Sequence, residues 1–154
     1  MTNIIAKHGG YENLKSFQMA QIAYDLNFQF CQKFVPSHKM RDQMEGAGRG
    51  GVQNIGEGSR TSGTSKQSEL RLINVARASL DELKLDYEAY LRQRGLTQWP
   101  KEDGRALAVR KLAYTPNRTI RLICPIWTTK QPRPIAFFVS SIRQIICWTN
   151  KCNL

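Results

Sequence analysis

The sequence predicts an all-α protein, an up-and-down helical bundle with three long helices. Apolar residues recur at intervals of three and four over long stretches, which is the spacing of one face of an α-helix. Short segments rich in proline, glycine, serine and threonine separate these stretches, and such residues end or cap helices. A chain of 154 residues favours one core. We therefore predict a helical bundle domain over residues 1–119 and an irregular basic tail over residues 120–154.

The first helix is predicted over residues 11–35, where two adjacent apolar stripes run at helical spacing. One stripe holds Leu14, Phe17, Gln21, Tyr24, Phe28, Cys31 and Val35, and the other holds Met19, Ile22, Leu26 and Phe30. Together they form the broad apolar face that a bundle helix buries. Pro36 ends this helix because proline disfavours the helical conformation in the preceding residue. Ser37 can then cap the next helix.

The second helix is predicted over residues 38–58 and is expected to be the weakest. Its apolar positions at helical spacing are Met40, Met44, Ala47, Gly51 and Ile55. Further glycines occur at positions 46, 48, 50 and 56, and a glycine inside a helix costs about 1 kcal/mol relative to alanine. Close packing against a neighbouring helix would offset part of this cost, since glycine lets two backbones approach. The polar and glycine-rich residues 53–58 are expected to end the helix.

The third helix, predicted over residues 64–94, has the clearest pattern. Thr64 and Gln67 have the spacing of a capping box, and Gly95 suits the C-terminal cap. The predicted core face consists of Leu70, Ile73, Ala76, Leu80, Leu83, Tyr87 and Leu91. A short helix is expected to follow over residues 102–113.

No catalytic, metal or cofactor site is predicted. Residues 46–51 satisfy G-x-G-x-x-G, but dinucleotide binding needs a buried strand before this motif, and the segment before it is polar with a helical pattern. We interpret these glycines as substitutions within a helix. The adjacent carboxylates Asp81 and Glu82 point in different directions on a helix, which indicates a solvated face. None of the four cysteines forms a C-x-x-C pair, and Cys31 fits a core position. We expect a non-enzymatic protein.

Positive charge indicates which partners to consider. The net charge of +11 favours an anionic partner such as nucleic acid, or an acidic protein or membrane surface, although a solvated basic surface explains it equally well. The candidate contacts to an RNA or DNA backbone are Arg41, Arg49, Arg60, Lys66, Arg71 and Arg77. The alternative is ordinary surface charge, partly paired with Glu45, Glu57, Glu69 and Asp81. No apolar run suits a membrane helix or a signal peptide, so we expect a cytoplasmic location and no membrane partner.

Residues 41–96 resemble the bacterial four-helix-bundle proteins, a family that includes proteins encoded within intervening sequences of large-subunit ribosomal RNA genes. Two motifs carry the resemblance: QNIGEG at residues 53–58, and the pattern A-x-x-S-L-x-E-L at residues 76–83. The GGY start and the RQRGL segment at residues 92–96 are similar to a subgroup with a C-terminal extension called the suffix. The residues that match the family motifs are Asn54, Glu57, Gly58, Ser79, Leu80 and Leu83.

The resemblance implies an all-α bundle without enzymatic activity that assembles into a ring-like homo-oligomer, often a pentamer. It also implies association with nucleic acid in relatives. Asn54, Glu57 and Gly58 are expected to end the second helix and to form local hydrogen bonds. The glycines at positions 46, 48, 50 and 56 depart from the family pattern, which puts the stability of the second helix in doubt.

The composition changes sharply near residue 120. All twelve acidic residues lie at or before Asp103, and residues 120–154 hold five basic residues and no acidic one. A one-base shift in a codon choice for residues 141–154 permits HQTNYLLDQQMQS, which is similar to the suffix helix of the resembled subgroup. We interpret the tail as out of frame, with the fourth helix degraded and the C-terminus destabilised or partly disordered. The alternative is a genuine basic, β-like tail.

The sequence thus leaves several functions open. The first is an oligomeric, nucleic-acid-associated accessory protein. The second is a protein-interaction or assembly module that binds no nucleic acid. The third is a truncated product without function.

Overall fold

The computed structural model describes residues 10–98, together with residues 100, 102–104, 107 and 111. A 3₁₀ turn over Tyr11–Asn13 precedes three helices: α1 (Lys15–Phe34), α2 (His38–Thr61) and α3 (Lys66–Gln93). This part of the chain contains no strand, so the predicted all-α class is confirmed. The tail over residues 120–154 and the fate of the fourth helix lie outside the described residues. No helix in the described part has a stretch long and apolar enough to cross a membrane.

The two apolar stripes of α1 contribute unequally to the core. Met19, Leu26 and Phe30 are fully buried, in agreement with the second predicted stripe. Leu14, Gln21 and Phe28 of the first stripe are exposed, so that part of the core prediction is wrong. In the same stripe, however, Cys31 and Val35 are buried as expected.

The connection between α1 and α2 follows the prediction closely. Val35 adopts an extended conformation after the end of α1. The Ser37 hydroxyl then accepts a hydrogen bond from the backbone N–H of Met40 at 3.4 Å. One of the free N–H groups of the first turn is thereby satisfied, as expected for an N-cap serine.

α2 continues to Thr61, so the prediction that Asn54, Glu57 and Gly58 end it is wrong. Asn54 does form a local hydrogen bond, from Nδ2 to the carbonyl of Gly50 at 2.8 Å, but this bond lies within the helix. A methyl group placed on Gly58 would approach Ile73 at 3.3 Å. Packing against α3 therefore stabilises the last turns of α2, although the glycines there have a low intrinsic helix propensity.

The chain turns between α2 and α3 at residues 62–65. The backbone N–H groups of Thr64 and Ser65 both donate to the carbonyl of Thr61, at 3.0 and 2.9 Å. The N-cap of α3 is Ser65, whose hydroxyl accepts from the N–H of Ser68 at 3.2 Å. The predicted cap Thr64 is wrong, since its hydroxyl instead donates to the Thr61 carbonyl at 3.1 Å. The sequence thus located this cap one residue too early.

The C-terminus of α3 is closed by Gly95, as predicted. Gly95 has a φ of 63°, which a residue without a Cβ adopts at little cost. Its N–H donates to the carbonyl of Arg92 at 3.3 Å, and the N–H of Leu96 donates to the carbonyl of Leu91 at 3.0 Å. This pair of bonds is the Schellman motif.

The helices pack as two consecutive antiparallel pairs with α2 in common. Gly48 of α2 lies beside Tyr24 of α1, and Gly56 lies beside Phe17, so α1 and α2 are antiparallel. The predicted core face of α3 is buried or half-buried except at Leu70, which is exposed. Beyond α3, residues 104, 107 and 111 are helical, in agreement with the predicted short helix.

Candidate functional site

The structure does not bring the six candidate basic residues together. Arg41 and Arg60 stand nineteen positions apart on α2, which corresponds to about 28 Å along the helix axis. Arg49 lies between them on the exposed face of the same helix. Lys66 and Arg71 belong to the first turns of α3, beside the end of α2 that carries Arg60. One end of the hairpin therefore groups three cations, and the other three are dispersed.

Several of these side chains have local partners. The Lys66 ammonium forms an ion pair with Glu69 at 2.8 Å. The Arg60 Nε donates to the carbonyl of Gly56 at 3.4 Å, and the guanidinium carbon lies 5.0 Å from the centre of the Tyr11 ring. An Arg41 nitrogen lies 2.9 Å from Nδ1 of His38. Arg77 is half-buried, and Arg49 and Arg71 are exposed.

The positive charge of the chain lies mainly outside the three helices. Residues 10–98 hold twelve Lys and Arg against ten Asp and Glu, a net charge of +2 out of +11. Residues 99–154 hold ten basic and two acidic residues, a net charge of +8. A long-range field that attracts polyanions depends on summed charge, so the helices contribute little to it.

The glycines of α2 and the A-x-x-S-L-x-E-L residues of α3 form one interface. A Cβ added to Gly51 would lie 2.6 Å from Cδ2 and 2.7 Å from Cγ of Leu80. A Cβ added to Gly48 would lie 3.6 Å from Cδ2 of Leu83. Leu80 and Leu83 are fully buried. Leu80 thus occupies space that the missing side chain of Gly51 leaves open, whereas a Cβ on Gly48 would be in ordinary van der Waals contact with Leu83.

The same interface includes Ser79 and continues toward the turn between α2 and α3. A Cβ on Gly50 would approach the Ser79 hydroxyl at 3.2 Å, and one on Gly58 would approach Cγ1 of Ile73 at 3.3 Å. Most residues that match the two motifs therefore have structural positions: Gly58 packs against α3, Ser79, Leu80 and Leu83 pack against glycines of α2, and Asn54 forms a hydrogen bond within α2. Glu57 is the exception, because it lies on the exposed side of α2. The G-x-G-x-x-G stretch is helical throughout, as interpreted from the sequence.

A buried polar cluster joins all three helices, and the sequence did not reveal it. Asn27 of α1 is fully buried and donates from Nδ2 to the carbonyl of Met44 in α2 at 2.9 Å. Its Oδ1 accepts from the Tyr87 hydroxyl of α3 at 2.7 Å. The Cys31 thiol lies 3.7 Å from the same oxygen. Gly48 leaves room for this arrangement, because an added Cβ there would lie 3.4 Å from Nδ2 of Asn27.

The titratable groups of this cluster are held in their neutral forms. Burial, with a smaller contribution from Glu45, raises the pKa of the Cys31 thiol to about 12. Burial also raises the pKa of Tyr87 well above its ordinary value. A thiol with such a pKa stays protonated near neutral pH and is a poor nucleophile. The cluster therefore fits a structural role, since its hydrogen bonds position helices.

Carboxylates collect on the C-terminal half of α3. Asp81 and Glu82 are exposed, as the sequence indicated. Burial and the nearby Glu82 carboxylate raise the pKa of Asp86. In the described part of the chain, no three His, Cys, Asp or Glu side chains are placed to hold a metal ion.

No family model, curated protein or solved structure matches this chain. The class that the described geometry defines is an all-α helical hairpin extended by a third antiparallel helix. Membership of the four-helix-bundle family remains a prediction from the motifs of α2 and α3.

Proposed function

We propose that this chain is a non-enzymatic helical-bundle module that acts by assembling with other copies of itself. The observation that supports this proposal is the part of the first apolar stripe of α1 that the core leaves exposed. Leu14 and Phe28, two whole heptads apart, are 41% and 47% exposed, while the opposite side of α1 fills the core. A helix with apolar residues on two sides can pack against a partner on each. The partner of the second side would be another subunit.

Burial of this stripe would contribute favourably to a contact between subunits. A phenylalanine side chain buries roughly 150–250 Å² when fully enclosed. Covering the exposed half of Phe28 at about 25 cal/mol per Å² would contribute about 2 kcal/mol per subunit. Symmetric oligomers use such a contact more than once, so its contribution is repeated.

Sedimentation equilibrium across roughly 10–200 μM protein tests this assembly. We expect the wild type to sediment as an oligomer and Phe28→Lys to sediment as a monomer. Gln43→Lys is the matched control, because it adds the same charge at an exposed site on α2 and should leave the mass unchanged. A wild type that stays monomeric over the whole range would disprove the proposal.

Nucleic-acid association is the second candidate function. Arg60, Lys66 and Arg71 share one end of the hairpin, and the whole chain carries a charge of +11. If these three side chains contact phosphates, replacing any one of them should reduce the slope of log affinity against log salt concentration by about one.

Binding of a short RNA duplex and a short DNA duplex, measured over a salt series, tests this second candidate. Arg60→Ala and Arg71→Ala should weaken binding and flatten the salt dependence, whereas Arg41→Ala at the far end of α2 should not. Affinity that is independent of salt, or equal losses in all three variants, would exclude the hairpin end as a phosphate-binding site.

A further inference from the structure

The 3₁₀ turn over Tyr11–Asn13 packs closely against the last turns of α2. A Cβ added to Gly56 would lie 3.5 Å from the Tyr11 ring, so the missing side chain lets this ring lie against the helix backbone. The ring also meets Phe17 edge to face, with the two ring centres 4.8 Å apart. Immediately before the turn, Gly10 has a φ of 141°, a conformation that favours glycine. Packing on two sides therefore fixes the position of the Tyr11 ring.

The Arg60 side chain is held against this ring. Its Nε donates to the carbonyl of Gly56 at 3.4 Å, and its guanidinium carbon lies 5.0 Å from the centre of the Tyr11 ring. A cation within about 6 Å of an aromatic ring centre is attracted to the ring face. Within the described residues, the two terminal nitrogens of Arg60 have no hydrogen-bond or ion-pair partner. The guanidinium is thus oriented on one side while its terminal N–H groups stay available.

The other two cations at this end of the hairpin are less well prepared to bind an anion. The Lys66 ammonium is paired with Glu69 at 2.8 Å, so its charge is partly neutralised. Arg71 is exposed, and an exposed arginine loses rotamer freedom when it binds a ligand. An arginine that is already oriented loses less, and its planar fork of donors matches the oxygens of a phosphate. Arg60 combines an oriented guanidinium with unpaired donors.

We propose that Tyr11 is a positioning residue that orients Arg60 toward a phosphate of a nucleic-acid backbone. The inference rests on the second candidate function above and makes Arg60 its principal contact. Removing the Tyr11 ring leaves the charge of Arg60 in place, so it lowers affinity without changing the number of counterions released. Removing Arg60 itself lowers both the affinity and the salt dependence.

Binding of a short RNA duplex over a salt series tests the proposal. Tyr11→Leu keeps an apolar side chain beside Gly56 and should weaken binding about two- to five-fold, with an unchanged slope of log affinity against log salt concentration. Tyr11→Phe keeps the ring and should bind like the wild type. Tyr24→Leu is the matched control, because it removes a ring that packs against another α2 glycine, Gly48, and it should leave affinity unchanged. In an Arg60→Ala background, Tyr11→Leu should have no further effect.

A second measurement follows the position of Arg60 without nucleic acid. The Nε–H signal of Arg60 in a ¹H–¹⁵N NMR spectrum is identified by its loss in Arg60→Ala. The ring current of Tyr11 should shift this signal in the wild type and in Tyr11→Phe. In Tyr11→Leu the signal should move to the position of exposed arginines.

Three results would overturn the inference. They are equal losses of affinity in Tyr11→Leu and Tyr24→Leu, a Tyr11→Phe variant as weak as Tyr11→Leu, and a further loss when Tyr11→Leu is added to Arg60→Ala. Failure of the nucleic-acid function looks different, because the wild type would then show no salt-dependent binding of the duplex. In that case an Arg60 signal that still depends on the Tyr11 ring would show a purely structural contact, and the positioning role would fall with the function.

Discussion

Replacing Gly51 with alanine tests whether the α2–α3 interface depends on the missing side chain. Alanine improves helix propensity by about 1 kcal/mol. Its Cβ, however, would lie 2.6 and 2.7 Å from two carbons of Leu80, where favourable carbon contacts need about 3.5–4.0 Å. Leu80 is fully buried, and one of the two carbons is its branch point, so the side chain has little freedom to yield. Overpacking of this kind costs about 1–3 kcal/mol.

The net expectation for Gly51→Ala is a loss of up to about 2 kcal/mol. Gly46→Ala is the matched control, because no atom lies within 4 Å of the added Cβ, and it should gain about 0.5–1 kcal/mol. In a chain of this size the two variants should differ by up to about 10 °C in Tm. Thermal and urea unfolding followed by circular dichroism at 222 nm measure both.

A second substitution tests whether the loss of stability in Gly51→Ala comes from the contact with Leu80. In a Leu80→Ala background the space beside Gly51 opens, so Gly51→Ala should become stabilising relative to that background. The reasoning is refuted if Gly51→Ala is at least as stable as Gly46→Ala in the otherwise wild-type chain.

Three other substitutions probe hydrogen bonds and charge. Tyr87→Phe should cost about 1–2 kcal/mol in urea unfolding, because the buried Asn27 oxygen loses its hydroxyl donor; a loss that is unchanged in an Asn27→Leu background would refute the coupling. Ser65→Ala should cost about 1 kcal/mol and Thr64→Ala distinctly less, and the reverse order would mean that the N-cap is misplaced. Burial raises the folded-state pKa of Asp86 above its unfolded value, so stability falls as pH rises through that window. Asp86→Asn should therefore raise Tm at pH 7 and lose this advantage as the pH is lowered; a constant difference across pH would exclude titration of Asp86 as the cause.

Features governed by local chemistry could be predicted from the sequence. Pro36 and Ser37 separate α1 from α2, and Gly95 ends α3, because each acts on its own backbone or on neighbours a few residues away. The end of α2 could not be predicted in this way. Its glycines weaken a helix in isolation, but Gly58 packs against α3, and only the tertiary structure supplies that contact.

The candidate sites show the same limit. Both apolar stripes of α1 fit helical periodicity, and only the positions of α2 and α3 decide that Phe30 is buried while Phe28 is exposed. Asn27 and Tyr87 are 60 positions apart, so no spacing rule joins them. An asparagine between apolar positions of a predicted core face was the available signal. The dispersal of the basic residues likewise depends on helix lengths rather than on composition.

The glycines of α2 that pack against leucines of α3 also determine the register of the two helices along their axes. The paired positions of α2 and α3 sum to 131, as in 48 with 83 and 51 with 80. Sliding one helix by a heptad would place Leu83 opposite Ile55 and leave Tyr87 against Gly51, with its hydroxyl away from Asn27. Such a shifted hairpin would combine a clash with an unsatisfied polar group. The same glycines that weaken α2 as a helix thereby exclude the neighbouring misaligned states.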